Sequence, residues 1–168
     1  LLKACQKDPS FADAHCMPKV LDMPKPYDAE SLCCNLDSAC LKFMGGYETV
    51  AGEMLEQDME LLKDANNLGR IMQFNNDPDY LAMLHHHYDD WTDGGIDDCP
   101  EEIKAIIPGV ELILTLTKKY AALVMNPPYM GASNMNAALT SYVKSNYPNT
   151  KSDLFGVFMD VALDAILP

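Results

Sequence analysis

A short apolar run that ends abruptly at two prolines is the feature that most restricts how this chain can fold. Residues 120–125 read Tyr-Ala-Ala-Leu-Val-Met, and Asn126-Pro127-Pro128-Tyr129 follow directly. An apolar run of this length, bounded by a turn signal, is typical of a buried strand in a parallel sheet. Such strands alternate with helices, and ligands bind at their carboxyl ends. We therefore predict an α/β fold with a binding loop at residues 126–129.

Helical signals precede this run. Apolar residues recur at helical spacing over residues 50–64, and Asn66-Asn67-Leu68-Gly69 is a stop signal. Asp77-Pro78 is an N-cap followed by a first-turn proline. Pro100-Glu101-Glu102 begins a further helix, which we expect to be interrupted at Pro108-Gly109. Residues 110–117 fit a strand and a buried helix equally well.

Two more helices are predicted after the loop, over residues 135–146 and from a cap at Ser152-Asp153 onward. The chain then divides into three parts. Residues 1–48 form an irregular, acidic segment that contains cysteines, and residues 49–119 form a helical segment. Residues 120–168 carry the predicted strand, the loop and the helices after it.

Cysteine usage and hydropathy indicate the compartment. The chain has six cysteines but no Cys-x-x-Cys pair, no signal peptide and no apolar run long enough for a membrane span. We predict reduced thiols, a cytoplasmic protein and no contact with a membrane.

The acidic charge is unevenly distributed. The net charge is −13, yet residues 118–152 contain four lysines and no acid. Chance and a buried strand would explain only the first third of this stretch. We interpret it as a surface that a phosphate backbone approaches, with Lys144 and Lys151 as candidate contacts.

The residue types of the loop fit one chemical task, the orientation of an exocyclic amine such as that of adenine. The Asn126 side-chain oxygen and the Pro127 carbonyl could each accept one amine hydrogen, which would localise the nitrogen lone pair. Pro128 restricts the residue before it, so the direction of that carbonyl is preset. Tyr129 offers a flat face on which an extruded base could stack. The alternative is an ordinary turn, because Asn-Pro and Pro-Pro are common in loops.

Longer stretches around the loop resemble the adenine-specific methyltransferases of BREX-type phage-defence systems (PglX-like). In that family a Met-Gly pair, an Asn-rich segment and a Lys-Ser-Asp-Leu-Phe signature follow the loop. The matching stretches here are Val124-Met125-Asn126-Pro127-Pro128-Tyr129-Met130-Gly131, Asn134-Met135-Asn136 and Asn146-Tyr147-Pro148-Asn149-Thr150-Lys151-Ser152-Asp153-Leu154-Phe155, with Asp64-Ala65-Asn66-Asn67-Leu68-Gly69 upstream.

The resemblance implies a Rossmann-like fold and methyl transfer from S-adenosylmethionine to adenine N6 in double-stranded DNA, with the target adenine flipped out. Asn126, Pro127, Pro128 and Tyr129 would be the catalytic residues, and other phage-defence proteins are candidate partners. The family's cofactor loop, Asp-Pro-x-x-Gly-x-Gly, does not occur in this sequence. We therefore expect an internal fragment with a helix-rich, partial Rossmann-like fold and an incomplete sheet, which is inactive when isolated.

Other chemistry-bearing residues fit structural roles better. His85-His86-His87 are consecutive and chelate one ion poorly on a helix. The acids from Asp89 to Asp98 fail the calcium-loop pattern, because position three is Trp91 and position twelve is Pro100. Nothing places Asp37 or Asp58 near a cofactor ribose, and Asp153 fits a helix N-terminus better than a catalytic base. No metal site is predicted.

Two other functions stay open. The same loop is compatible with methylation of another planar amine or amide, such as cytosine N4 or protein glutamine. The chain could also be a non-enzymatic, acidic helical interaction module in which the loop is only a turn.

Overall fold

Helices dominate the part of the chain that the computed structural model describes, residues 36–46 and 50–166. Within these ranges there are seven α-helices: α1 (Leu36–Phe43), α2 (Val50–Leu61), α3 (Ala65–Leu68), α4 (Pro78–Asp93), α5 (Glu101–Thr117), α6 (Ala137–Asn146) and α7 (Leu154–Ala165). Short 3₁₀ turns occur at Leu62–Asp64, Gly69–Ile71, Ile96–Asp98 and Ala132–Asn134. Most of the segment predicted to be irregular, residues 1–48, lies outside the described residues, but its part at Leu36–Phe43 is a helix.

A single apolar core connects the helices. Helix α1 packs against α2 and α5, α4 packs against α5, and α7 packs against the turn at Gly69–Ile71. Phe43, Leu55 and Ile106 are fully buried, and each contributes roughly 1.5–3 kcal/mol through the apolar surface removed from water. Cys40 and Cys99 are buried free thiols. The pKa of Cys40 is raised to about 12, mainly by burial and to a smaller extent by the negative charge of nearby acids. The other four cysteines lie outside the described residues.

The predicted helix signals before the loop are confirmed. Asp77 caps α4, since its Oδ1 accepts hydrogen bonds from the backbone N–H groups of Asp79 (3.1 Å) and Tyr80 (2.9 Å). The helix predicted over residues 50–64 ends earlier, at Leu61, and the predicted stop at residues 66–69 lies largely within the short helix α3. Helix α3 ends at Gly69, whose φ of +53° is a conformation that favours glycine.

The helix predictions after the loop are also confirmed. Asn136 caps α6 through the N–H of Leu139, and Asp153 caps α7 through the N–H of Phe155. Asp153 is thus placed at a helix N-terminus, the role that we preferred to that of a catalytic base.

The predicted interruption at Pro108-Gly109 is wrong, because α5 continues through it to Thr117. A proline inside a helix removes one backbone hydrogen bond and crowds the preceding turn. Here Pro108 is exposed, whereas Ile107, Gly109 and Val110 are buried against the core. Packing of that face therefore outweighs the local cost of the proline, and residues 110–117 are helical rather than a strand.

Within the described residues, the buried strand predicted at residues 120–125 has no pairing apart from one bridge at Tyr120. Residues 122–130 have no regular secondary structure, and Val124 is 97% exposed. The described residues contain only two isolated bridges, Tyr120 with Ile166 and Gly131 with Asp153, so no neighbouring strand satisfies this backbone. The Rossmann-like sheet stays a prediction.

A buried carboxylate joins α2 to the loop before α4. Asp58 is 3% exposed, and its Oδ1 accepts hydrogen bonds from the backbone N–H (3.0 Å) and the side-chain amide (2.9 Å) of Asn75. Its Oδ2 accepts a hydrogen bond from the hydroxyl of Tyr80 at 2.9 Å. Burial raises the pKa of Asp58, and these hydrogen bonds oppose that rise. Three donors thus occupy the carboxylate, which gives it a structural role.

We expect Asp58→Ala to lower the free energy of unfolding by about 1–3 kcal/mol, because the half-buried donors of Asn75 and the buried hydroxyl of Tyr80 lose their acceptor. Asp58→Asn should cost less, since the Tyr80 hydroxyl can rotate and accept. Urea denaturation followed by far-ultraviolet circular dichroism measures both. An alanine variant as stable as the asparagine variant contradicts this account.

The free energy of unfolding that Asp58 contributes should also depend on pH. Because burial raises the folded pKa of Asp58 above its ordinary value of 3.8, its contribution to stability is fully present below that value. The contribution is lost as pH rises through the folded pKa. The stability of the wild type relative to Asp58→Asn should therefore fall over that range, and a rise would contradict the assignment.

Candidate target-base site

The segment at residues 120–131, which contains the predicted catalytic loop, is bonded to both ends of α7. At its start, the Tyr120 N–H donates to the carbonyl of Ala165 at 2.8 Å, and Tyr120 forms a parallel bridge with Ile166. At its end, Gly131 forms an antiparallel bridge with Asp153. The segment therefore runs back along the helix, from its C-terminus to its N-terminus.

The segment is longer than the helix that it accompanies. Helix α7 has 12 residues, which corresponds to about 18 Å at about 1.5 Å per residue. An extended chain between residues 120 and 131 could span about twice that distance, at roughly 3.3 Å per residue. The middle of the segment must therefore bow outward, in agreement with the exposure of Ala121, Ala122 and Val124.

Backbone hydrogen bonds fix the end of the loop. The N–H of Ala132 donates to the carbonyl of Ser152 at 2.9 Å, and the N–H of Leu154 donates to the carbonyl of Met130 at 3.0 Å. The Asp153 carboxylate accepts from the N–H of Phe155 at 2.9 Å. The Met-Gly pair and the Ser-Asp-Leu-Phe sequence are separate motifs in the sequence, and both resemble the same family. In the fold they contact each other.

The four predicted catalytic residues differ in exposure. Asn126 and Pro128 are exposed, Pro127 is half-buried, and Asn126 makes no hydrogen bond to a described residue. Tyr129 is 87% exposed, and its ring stacks on that of Phe155, with ring centroids 6.2 Å apart and planes 8° from parallel. The sequence analysis did not identify Phe155 as a site residue, although it ends the Lys-Ser-Asp-Leu-Phe signature.

The two candidate phosphate contacts are both exposed. Lys144 lies in the last turn of α6, and Lys151 directly precedes Ser152, which bonds to the end of the loop. The fold also brings one acid beside the otherwise acid-free loop, Asp153. Its carboxylate is engaged as the cap of α7, so part of its charge is offset by the helix N-terminus.

A separate cavity of about 880 Å³ lies beside α6 and does not include residues 126–129. Arg70, Lys118 and Asp164 contribute charged groups to its wall. The hydroxyl of Tyr147 donates to the carbonyl of Ile71 at 2.7 Å, and burial raises the pKa of Tyr147. Burial also lowers the pKa of Arg70. The structure thus does not bring this cavity and the predicted loop together.

The upstream stretch that resembles the same family packs on α6. The side-chain amide of Asn136 donates to the Asn67 side-chain oxygen at 2.7 Å, and the backbone N–H of Gln73 donates to the Tyr142 hydroxyl at 2.7 Å. Residues 67–73 are therefore fixed against the helix that follows the loop, a long-range arrangement that spacing alone did not predict.

The weaker candidates have simple surroundings. His85 pairs with Asp89 at 2.9 Å and His86 with Asp90 at 3.5 Å, all on the exposed side of α4. Within the described residues, no three His, Cys, Asp or Glu side chains are grouped so that they could hold a metal ion. The Asp37 carboxylate accepts from the N–H of Ser38. No helix in the described ranges is both long and apolar enough to cross a membrane.

Comparison with known proteins places the loop in a family. Residues 53–168 match the family described as Eco57I restriction-modification methylase. The chain is 32% identical over 116 residues to "Adenine-specific methyltransferase BrxX" of Escherichia coli O9:H4 (strain HS), a match that covers 68% of this chain and 10% of that protein. It is 49% identical over 45 residues to "Adenine-specific methyltransferase PglX" of Lacticaseibacillus casei (strain Zhang), a match that covers 27% of this chain and 4% of that protein.

The chain thus aligns with a tenth or less of the length of these relatives. The resemblance to PglX-like adenine-specific methyltransferases, drawn from the stretches around the loop, is confirmed. Because the family match includes the loop, both of its anchors and most of the described helices, this chain belongs to the Eco57I restriction-modification methylase family.

Proposed function

We propose that this chain carries the target-base part of a site-specific DNA methyltransferase that methylates adenine at N6. The observation that carries the proposal is the Asn-Pro-Pro-Tyr loop, which is open to solvent and belongs to a segment held at Tyr120 and at Gly131, inside the region that matches the methylase family. By analogy with the relatives, we also propose that the enzyme acts in the cytoplasm, in phage defence or restriction–modification.

Asn126 and Pro127 would orient the amine. The lone pair of the adenine N6 amine is delocalised into the ring, which makes the nitrogen a weak nucleophile. Two acceptors aimed at its two hydrogens, the Asn126 side-chain oxygen and the Pro127 carbonyl, would localise that lone pair. Preorganised polar groups of this kind act without reorganising during the reaction. No strong base is required, because the extra proton can leave after the transfer.

Tyr129 would hold the base outside the helix. The amine is unreachable within stacked DNA, so the adenine must be flipped out at the cost of unstacking and unpairing. Stacking on an aromatic ring returns about 1–3 kcal/mol per base. The 87% exposure of the Tyr129 side chain leaves ring surface available for that contact. Lys144 and Lys151 would contact phosphates of the same duplex.

The methyl donor would be S-adenosylmethionine, bound by the complete enzyme. A glycine-rich loop allows the backbone to approach such a cofactor closely. In the part of the chain that the structure describes, glycines with positive φ are Gly45, Gly46, Gly69 and Gly95, and none belongs to a Gly-x-Gly sequence. The described residues do not fit a cofactor loop, and we place that loop elsewhere in the protein.

We predict that Asn126→Ala, introduced into the complete enzyme, reduces methyl transfer by roughly two orders of magnitude or more, since one acceptor for the amine is lost. Asn66→Ala, which changes an exposed asparagine on α3, is the matched control and should retain activity. N6-methyladenine in substrate DNA is measured by mass spectrometry, and cofactor binding is checked by calorimetry.

The same measurement separates the alternatives. Wild-type enzyme that produces N4-methylcytosine and no N6-methyladenine would identify a different planar amine as the substrate. An Asn126→Ala enzyme that keeps most of its turnover would show that the role assigned to Asn126 is wrong.

We expect Tyr129→Phe to keep substantial activity and Tyr129→Ala to lose most of it, because stacking needs the ring and not the hydroxyl. Steady-state kinetics on DNA that contains the unmethylated target site distinguishes the two variants. Equal activity of both would remove the stacking argument, and an inactive phenylalanine variant would indicate a hydrogen bond from the hydroxyl.

We also expect the isolated 168-residue chain to bind S-adenosylmethionine too weakly to measure and to methylate no DNA. The physical reason is that its sequence lacks a Gly-x-Gly loop. Isothermal titration of the purified chain is the measurement, with the complete enzyme as the positive control. Micromolar binding by the chain would place the cofactor site within these residues.

A further inference from the structure

The ring of Tyr129 contacts a second aromatic ring that the mechanism above does not use. The Tyr129 and Phe155 rings are 8° from parallel, with centroids 6.2 Å apart. Parallel offset rings at roughly 4.5–7 Å attract each other beyond simple burial. We propose that Phe155 is a positioning residue that holds the Tyr129 ring in the orientation required to stack on the flipped adenine, an inference that rests on the proposed function.

Tyr129 has little else to fix its orientation. Its side chain is 87% exposed, and an exposed side chain must lose rotamer freedom before it can present one face to a base. A neighbour that restricts the ring beforehand removes part of that cost from the binding step. Phe155 is the aromatic residue that contacts this ring within the described residues.

Phe155 is itself held by the backbone around it. Its N–H donates to the Asp153 carboxylate at 2.9 Å in the first turn of α7. The preceding residue, Leu154, is 4% exposed and donates its N–H to the carbonyl of Met130, the residue after Tyr129. Tyr129 and Phe155 therefore each lie one residue from the backbone hydrogen bond between Leu154 and Met130, which brings the two residues close to each other.

Phe155 contributes little to the core. It is 44% exposed, while Leu154 and Val157 on the same helix are buried. An apolar ring left half in water at a helix N-terminus is not required for packing, so substitutions there should leave the fold intact. Stability alone therefore does not require an aromatic residue at position 155, whereas the contact with Tyr129 does.

The test uses the complete enzyme and three variants: Phe155→Tyr keeps the ring, Phe155→Leu keeps an apolar side chain without a ring, and Leu163→Ala is the control. Leu163 lies two turns further along α7 and is 72% exposed. The target site is first identified by mapping N6-methyladenine in the DNA of cells that express the wild type. Duplexes with 2-aminopurine at that position then report base flipping through their fluorescence.

We expect Phe155→Leu to lower kcat/KM roughly two- to tenfold, as the loss of one aromatic pair implies, and to reduce the 2-aminopurine signal. Phe155→Tyr and Leu163→Ala should match the wild type. In the Tyr129→Ala background, Phe155→Leu should have no further effect, because Phe155 acts through Tyr129.

Each other outcome overturns the inference. A leucine variant equal to the wild type shows that the ring has no role, and losses that multiply in the double variant show that Phe155 acts independently of Tyr129. A wild type that makes no N6-methyladenine removes the proposed function and this inference with it. Normal methylation by the wild type with an unaffected leucine variant removes the inference alone.

Discussion

Two backbone hydrogen bonds, from Leu154 to the Met130 carbonyl and from Ala132 to the Ser152 carbonyl, determine where the candidate site lies. They join the end of the segment at residues 120–131 to the first turn of α7, a helix whose other face is buried in the core. Because both donors and both acceptors belong to the backbone, the join does not depend on side-chain conformations. The position of helix α7 therefore determines where the loop lies relative to the core.

The helix α7 can serve as this reference because its position is fixed by burial. Leu154, Val157 and Val161 face the core, and the helix packs on the turn at Gly69–Ile71. Asp153 defines its start through a hydrogen bond to the N–H of Phe155. A second attachment, from the Tyr120 N–H to the Ala165 carbonyl, returns the chain to the other end of the same helix.

Sequence predictions that depend on neighbouring residues are confirmed, whereas of those that depend on distant residues one is wrong and one stays a prediction. The caps at Asp77, Asn136 and Asp153 act within a few residues of themselves, so local chemistry was sufficient. The interruption expected at Pro108 did not occur, because burial of the surrounding face outweighs the local penalty. The apolar run at residues 120–125 predicted a strand, but pairing requires neighbouring strands that the described residues do not contain.

The site divides in the same way. Residue types at 126–129 were sufficient to predict which groups could orient an amine and stack on a base, because that chemistry belongs to single residues. The contact between Tyr129 and Phe155 joins residues separated by a whole helix, so only the fold could reveal it. Backbone bonds fix the loop whatever its side chains are, whereas the direction of the exposed Tyr129 ring depends on a side-chain neighbour. Substitution at Phe155 should consequently alter the presentation of the ring while the loop stays in place.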